Sequence, residues 1–211
     1  MYQNIFISWT GAKPLIHLWD DQKGHTMLPF KKYAYEKDRS GTLRSLYGDK
    51  LKKIKYWKKE DASKLFESDI NPEMRTLVDL YHGSDEPSIN HRVLYFDIET
   101  EILEGFPDWH NPINRILSFT VYDQEEDKYY VGALDLNNKL TLKSRDNIDI
   151  EVFSTEDELL KHFILLVKQI NPTIFSGWNI DNFDIPYLYS RMCVVLGTEL
   201  ANELSPIGTV I

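Results

Sequence analysis

The sequence predicts a mixed α/β fold, α+β over the whole chain, with a small α+β domain over residues 1–85 followed by a mixed-sheet domain over 90–211. Three observations predict it. The first third carries short strand-like apolar runs separated by turn residues. The stretch Gly83-Ser-Asp-Glu-Pro-Ser88 is polar and holds both breakers, which marks a boundary. Beyond it, strand-like runs give way to helical periodicity, the signature of a sheet backed by helices.

In the first segment Ile5, Ile7 and Trp9, then Leu15 to Trp19, then Met27 to Tyr35 read as strands. The intervening Gly11-Ala-Lys-Pro14 and Asp20-Asp-Gln-Lys-Gly24 read as turns. Asn71-Pro72 starts a helix, because Asn accepts from the first free amides and Pro's fixed φ suits the first helical position; it runs through Met74, Leu77, Val78 and Tyr81 to Gly83. In the second segment Val93-Leu-Tyr-Phe96 is an unbroken apolar run, predicting a strand buried on both faces. Ile113 to Tyr122 and Lys128 to Leu134 follow as strands, with a fourth near 148–153. Thr155-x-x-Glu158 predicts a capping box opening a helix with Leu159, Phe163, Leu166 and Ile170 on one face, ended by Asn171-Pro172. Thr173 to Trp178 predicts a short buried strand, and Phe183 to Leu196 a helix with Pro186 in its first turn. The chain has no internal repeat.

Composition narrows the function classes. At 211 residues with 42% hydrophobic and 13% aromatic content, the chain is neither disordered nor low-complexity. Its longest apolar runs, Phe163 to Val167 and Met192 to Leu196, fall far short of the roughly 18 residues of a membrane span, and the N-terminus lacks a secretory pattern. One cysteine, Cys193, excludes an intrachain disulfide and a Cys-based zinc site, so the expectation is a reducing, cytoplasmic compartment. The net charge of −9 hides an asymmetry: residues 31–64 hold 12 Lys and Arg against 5 Asp and Glu.

Asp-x-Glu puts two carboxylates on one face of a strand, because side chains alternate with period two. The chain has three copies. Asp123/Glu125 falls in a charged turn and reads as a solvated loop; Asp149/Glu151 sits in an alternating strand whose polar face can point to water. Asp97/Glu99 emerges at the carboxyl end of an apolar strand, where open α/β sheets bind ligands and where two carboxylates call for a cation. Asp184, at a helix start after Gly177-Trp-Asn179, brings a third carboxylate toward the same rim.

Phe96-Asp-Ile-Glu-Thr100 followed by Ser176-Gly-Trp-Asn-Ile-Asp-Asn-Phe-Asp-Ile-Pro-Tyr-Leu188 resembles the first two exonuclease motifs of family B DNA polymerases. With Gly105-Phe-Pro107 and Leu204-Ser-Pro206, the resemblance is greatest to replicative polymerases of T-even-type tailed phages, strong over 90–207 and only general over 1–85. It implies a ribonuclease-H-like 3′→5′ proofreading exonuclease domain behind an N-terminal domain. Asp97, Glu99 and Asp184 would be catalytic metal ligands for two Mg²⁺ or Mn²⁺ ions, about 3.5 to 4 Å apart, that activate water and hold the scissile phosphate. Asn179 and Phe183 would face the single-stranded 3′ end of DNA, although Phe183 reads more readily as core. The partners implied are DNA, or RNA, and the remainder of the polymerase in cis or as a second chain, in the host cytoplasm if the chain is phage-encoded.

The family's third motif, Tyr-x-x-x-Asp, is absent: Arg191 stands four positions after Tyr187, and Cys193 four after Tyr189. Together with the strand-like start Thr209-Val-Ile211, this reads as a truncated or split chain, inactive or nearly so by itself. The alternatives are a non-catalytic nucleic-acid-binding or assembly subunit of a split polymerase, and a free-standing nuclease. Tyr47-Gly48-Asp49 resembles a polymerase active-site motif but reads as a hairpin turn. The band 31–64 interleaves its cations with Tyr33, Tyr35, Tyr47, Tyr56 and Trp57, suiting equally a nucleic-acid surface, with Lys52, Lys53 and Lys55 on phosphates, or a half-buried sheet. The six histidines show no ligand spacing, and Cys193 reads as core.

Overall fold

The computed structural model describes residues 1–10, 13–103 and 105–210, so the expected turn at Gly11-Ala12 and the end of Thr209-Val-Ile211 lie outside the described residues. The chain divides into two compact units, Met1–Asn90 and His91–Ile211. Among the described residues no helix is long and apolar enough to cross a membrane.

In the first unit β1 (Tyr2–Thr10), β2 (Lys13–Asp20) and β3 (Gly24–Pro29) form an antiparallel meander with Ile16 and Leu18 buried. The run Met27 to Tyr35 is not one strand. Pro29 has no amide to continue the ladder, so β3 stops there and β4 (Ala34–Lys37) begins a second sheet with β5 (Leu43–Arg44) and β6 (Lys50–Ile54), in the order β4-β6-β5. The turn joining β5 to β6 runs Ser45–Asp49 with Gly48 at φ 84°, a hairpin turn as the sequence suggests. Helix α1 (Pro72–Tyr81) starts as expected, with the Asn71 side chain accepting from the Met74 amide at 2.7 Å. Its Met74 and Val78 are exposed, and its one buried residue is Arg75, tied to Glu67 at 2.6 Å and lying 4.1 Å from the Tyr33 ring.

The second unit is a five-stranded mixed sheet in the order β10-β9-β8-β7-β11. Strands β7 (Val93–Thr100), β8 (Ile116–Asp123) and β9 (Lys128–Leu134) form an antiparallel meander; β10 (Ile148–Phe153) joins β9 in parallel, and β11 (Ile174–Ser176) joins β7 in parallel. Helix α2 (Glu156–Ile170) connects β10 to β11, and α3 (Asp184–Leu196) and α4 (Thr198–Ala201) follow. Leu159, Leu160, Phe163 and Ile164 of α2 pack with Leu94, Phe96, Ile98, Phe119 and Val121 of the sheet and with Tyr187, Leu188 and Met192 of α3. Each such burial is worth about 1.5–3 kcal/mol, which makes this core the support of everything on β7. Cys193 packs at its edge.

Three further expectations are corrected. Strand β7 is buried on one face only, because its odd-numbered Tyr95, Asp97 and Glu99 are exposed on the opposite face. Strand β11 is an exposed edge, not a buried strand, since it follows Pro172 and pairs only with β7. The capping box does not form: Thr155 caps α2 without a side-chain bond, and Glu158 instead accepts from Ser154 at 3.2 Å. The helix ends as expected, at Asn171 in the left-handed region.

Candidate metal centre

The core sets the position of β7, and period-two alternation then puts Asp97 and Glu99 on its open face. Glu99 stands at a register irregularity before Thr100, a local bend of the kind that re-aims side chains. On the other side of β7 the partner strand is short. Strand β11 pairs only as far as Ser176 opposite Tyr95, which leaves the Ile98 amide free of a strand partner. The chain then passes so close that a Cβ on Gly177 would lie 2.6 Å from the Phe96 carbonyl oxygen; only glycine fits there. After Asn179, in the left-handed region at φ 58°, a turn leads into α3. Its first residue, Asp184, fills the gap: its Oδ1 accepts from the Ile98 amide at 3.2 Å, between the two carboxylates of β7 in sequence.

Asp184 is 3% exposed. Burial pushes its carboxyl above the usual range, the Ile98 amide opposes that, and the charges on Asp97 and Glu99 add to it. Among the described residues no Lys or Arg side chain pairs with Asp97, Glu99 or Asp184: Arg92 is engaged with Asp123, Arg115 with Glu101 and Arg191 with Glu156. The three carboxylates therefore share one rim, yet among the described residues no three Asp, Glu, His or Cys side chains stand close enough to enclose an ion as they are. Three carboxylates are oxygen donors, the chemistry that hard divalent cations take.

The other Asp-x-Glu pairs differ. Asp123 is not solvated. It is 0% exposed, and the Arg92 Nε donates to both of its oxygens at 3.1 Å, which holds its carboxyl below the usual range in spite of burial. Asp149 and Glu151 reach solvent and pair with Lys128 and His162.

Around the rim, Asn179 is exposed and bonded only within its own turn, to Asn182. Phe183 packs against the core, and the exposed Phe106 ring lies tilted against it, 5.1 Å between centres. The sequence alone assigns no role to the exposed Phe106 or to the 92%-exposed Trp178; for Trp178, an aromatic inside a motif that also supplies a carboxylate is the signal that could have found it. Arg191, where the third motif would require Asp, is structural: it bonds both oxygens of Glu156 at 2.6 and 2.8 Å and the carbonyls of Pro112 and Ile113, while the buried Tyr187 hydroxyl donates to the Asn114 carbonyl. Asp181 is exposed in the turn before α3. In the first unit Lys53 and Lys55 line one concavity, whereas Lys52 does not and lies 3.9 Å from Asp38.

The family "DNA polymerase family B, exonuclease domain" matches residues 35–209. The chain is similar to the DNA-directed DNA polymerases of Escherichia phage RB69, 32% identical over 136 residues, and Enterobacteria phage T4, 33% identical over 140 residues. These matches cover 54% and 56% of this chain but only 15% and 16% of the phage proteins. A DNA polymerase of Thermococcus kodakarensis is 35% identical over 137 residues, 65% of this chain and 7% of that protein. The mixed five-stranded sheet with its helices is consistent with a ribonuclease-H-like exonuclease domain. The chain belongs to the exonuclease-domain family of the family B DNA polymerases.

Proposed function

We propose that the second unit is the proofreading part of a replicative DNA polymerase, removing nucleotides from the single-stranded 3′ end of DNA, with residues 1–85, within the first unit, as the N-terminal domain. The observation that carries this reading is the uncompensated carboxylate rim of Asp97, Glu99 and Asp184 in a chain of this family. These three side chains would hold Mg²⁺ or Mn²⁺. Such an ion supplies Lewis acidity toward a phosphate oxygen and lowers the pKa of a bound water.

The chain's own residues do the remaining work. The Ile98 amide fixes the Asp184 carboxylate beside β7, and Gly177 allows the close passage that brings α3 there. Phe106, braced on Phe183, and Trp178 offer exposed rings on which unpaired bases can stack, and Asn179 offers an amide to the same strand. Arg191 is committed to Glu156 and supplies no fourth ligand, so the carboxylate of the family's Tyr-x-x-x-Asp motif would come from the remainder of the polymerase, in cis or as a second chain.

Positioning to fractions of an ångström governs such hydrolysis, so loss of one ligand costs orders of magnitude. Single-turnover digestion of a 5′-labelled single strand with Mg²⁺ tests the reading. The chain alone should be nearly inert, and the chain extended or complemented through the third motif should shorten the strand from its 3′ end, with Asp97→Ala as the blank. Robust hydrolysis by the chain alone that vanishes in Asp97→Ala would overturn the incomplete-site reading; an inert complemented chain would overturn the exonuclease itself.

A further inference from the structure

The histidines show no ligand spacing along the chain, yet the fold of the first unit brings two of them into contact. Alternation along β2 sends Ile16 and Leu18 into the core and His17 and Trp19 to the opposite face of the meander. Antiparallel register then sets Met27 of β3 opposite His17, and His25 opposite Trp19, on that same face. The His17 Nδ1 lies 3.1 Å from the His25 Nε2, and the other ring nitrogen of His17, Nε2, lies 2.9 Å from the Ser8 Oγ on β1. The contact spans a hairpin, so spacing in the sequence does not report it.

The two rings stand edge to edge. Their planes differ by 5° and their centres lie 5.3 Å apart, which is the N···N distance plus one ring radius at each end, so both rings and the contact share one plane. The lone-pair axes of the two nitrogens therefore lie along one line. A proton occupies that line in the hydrogen-bonded pair, and a cation that takes two nitrogens in line can replace it. Ser8 favours the exchange: in the tautomer whose Nε2–H donates to the Ser8 hydroxyl, the His17 Nδ1 is left unprotonated and the ring is fixed in orientation. His17 is 8% exposed and held in place, whereas His25 and the 60%-exposed Met27 face solvent. Trp19 stacks on the His25 ring at 4.5 Å.

We propose that His17 and His25, with the Met27 thioether as third donor, bind a single Cu⁺ ion. The donor set selects the metal. Two imidazoles and a thioether suit a soft cation, and among the described residues no carboxylate bonds to either ring, so the oxygen ligands that Mg²⁺ or Mn²⁺ takes are not at hand. Zn²⁺ asks for a tetrahedron of four ligands, whereas Cu⁺ accepts two nitrogens in line and closes with one sulfur. At about 2.0 Å per metal–imidazole bond, as for zinc, the nitrogens must open from 3.1 Å to at most about 4 Å. His25 follows Gly24 at the exposed end of the hairpin and has room to swing that far, and a third donor that bends the N–Cu–N angle shortens the swing. The flexible, polarizable Met27 side chain closes on the ion from its place opposite His17. The site lies within the first unit and does not rest on the exonuclease reading.

The test is anaerobic competition for Cu⁺ against bicinchoninate, whose copper complex is coloured. The full chain carries Cys193→Ser, so that the thiol takes none, and should withdraw a single equivalent of the ion. Because His17 is buried, the ligand variants are His25→Ala and Met27→Leu, both on exposed side chains, and their urea midpoints should match the parent. His25→Ala should abolish the competition and Met27→Leu should weaken it. Ser8→Ala removes a positioning residue and should cost about 10–100-fold in affinity, which Ser8→Thr should restore. Copper-edge X-ray absorption of the loaded parent should show nitrogen and sulfur neighbours, and the sulfur should vanish in Met27→Leu. The inference is overturned if the parent takes no Cu⁺ from bicinchoninate, if His25→Ala takes as much as the parent, if sulfur is missing from the parent's spectrum, or if an equal concentration of Zn²⁺ displaces the copper.

Discussion

Asp123 and Asp184 lie in the same unit, both buried, and differ in what faces them. Asp123 has the Arg92 guanidinium on both of its oxygens and a carboxyl held low; Asp184 has Asp97, Glu99 and one backbone amide, and a carboxyl pushed up. The first is a completed ion pair that fastens the turn after β8 to the start of β7. The second leaves negative charge unanswered beside a solvent-facing strand. The same residue type at the same depth thus serves structure where the chain supplies the cation and points to a ligand where it does not.

The sharpest way to break the comparison is to remove the cation. Arg92→Met leaves Asp123 buried and unpaired, and urea denaturation should register a loss of about 3–5 kcal/mol, most of it recovered in Arg92→Met/Asp123→Leu. If the single variant costs less than 1 kcal/mol, Asp123 is solvated and the contrast fails.

Gly177→Ala follows. A methyl 2.6 Å from the Phe96 carbonyl must displace β11 or the turn into α3, at about 1–3 kcal/mol, and should carry Asp184 away from Ile98. An unchanged denaturation midpoint would mean that the backbone yields without strain.

Asp184→Asn should act in the opposite sense to the loss of Arg92. It keeps an oxygen for the Ile98 amide and removes a charge that burial, Asp97 and Glu99 all disfavour, so in metal-free buffer at neutral pH the midpoint should rise. A fall would show that the three carboxylates are compensated after all.

Asp20 tests a third case, a carboxylate answered mainly by neutral donors. The Tyr81 hydroxyl and the amides of Gln22 and Lys23 hold it at about 2, against 3.8 ordinarily. Its stabilising effect is present above pH 3.8 and is lost as pH falls toward 2. The acid limb of the wild-type unfolding profile should therefore be steeper over that window than the limb of Asp20→Asn; superimposable limbs would contradict the assignment.

How much of this could be read from residues alone follows from the range of the forces involved. Helix α1's cap, the end of α2 at Asn171 and the hairpin turn at Gly48 are local events within a few residues, and the sequence states them directly. The placement of Asp97 and Glu99 on one face of β7 and of Asp184 at the start of α3 was legible because alternation along a strand and a helix start are both local. Asp123 was misread because its partner, Arg92, lies 31 residues away, and no local pattern reports a pairing at that distance. The burial of β7 was overstated because an apolar run shows that a strand can be buried but not how many faces are covered. The capping box failed where Glu158 found a nearer donor in Ser154.

The central claim is the proposal that Asp97, Glu99 and Asp184 together hold a divalent cation. Thermal unfolding of the second unit with and without Mn²⁺ tests it directly. At about ten times the dissociation constant, Mn²⁺ should add roughly 1.4 kcal/mol by mass action and raise the midpoint by a few degrees, about 2–4 °C per kcal/mol. The rise should disappear in Asp97→Ala. No shift in the wild type, or an equal shift in Asp97→Ala, would contradict the account.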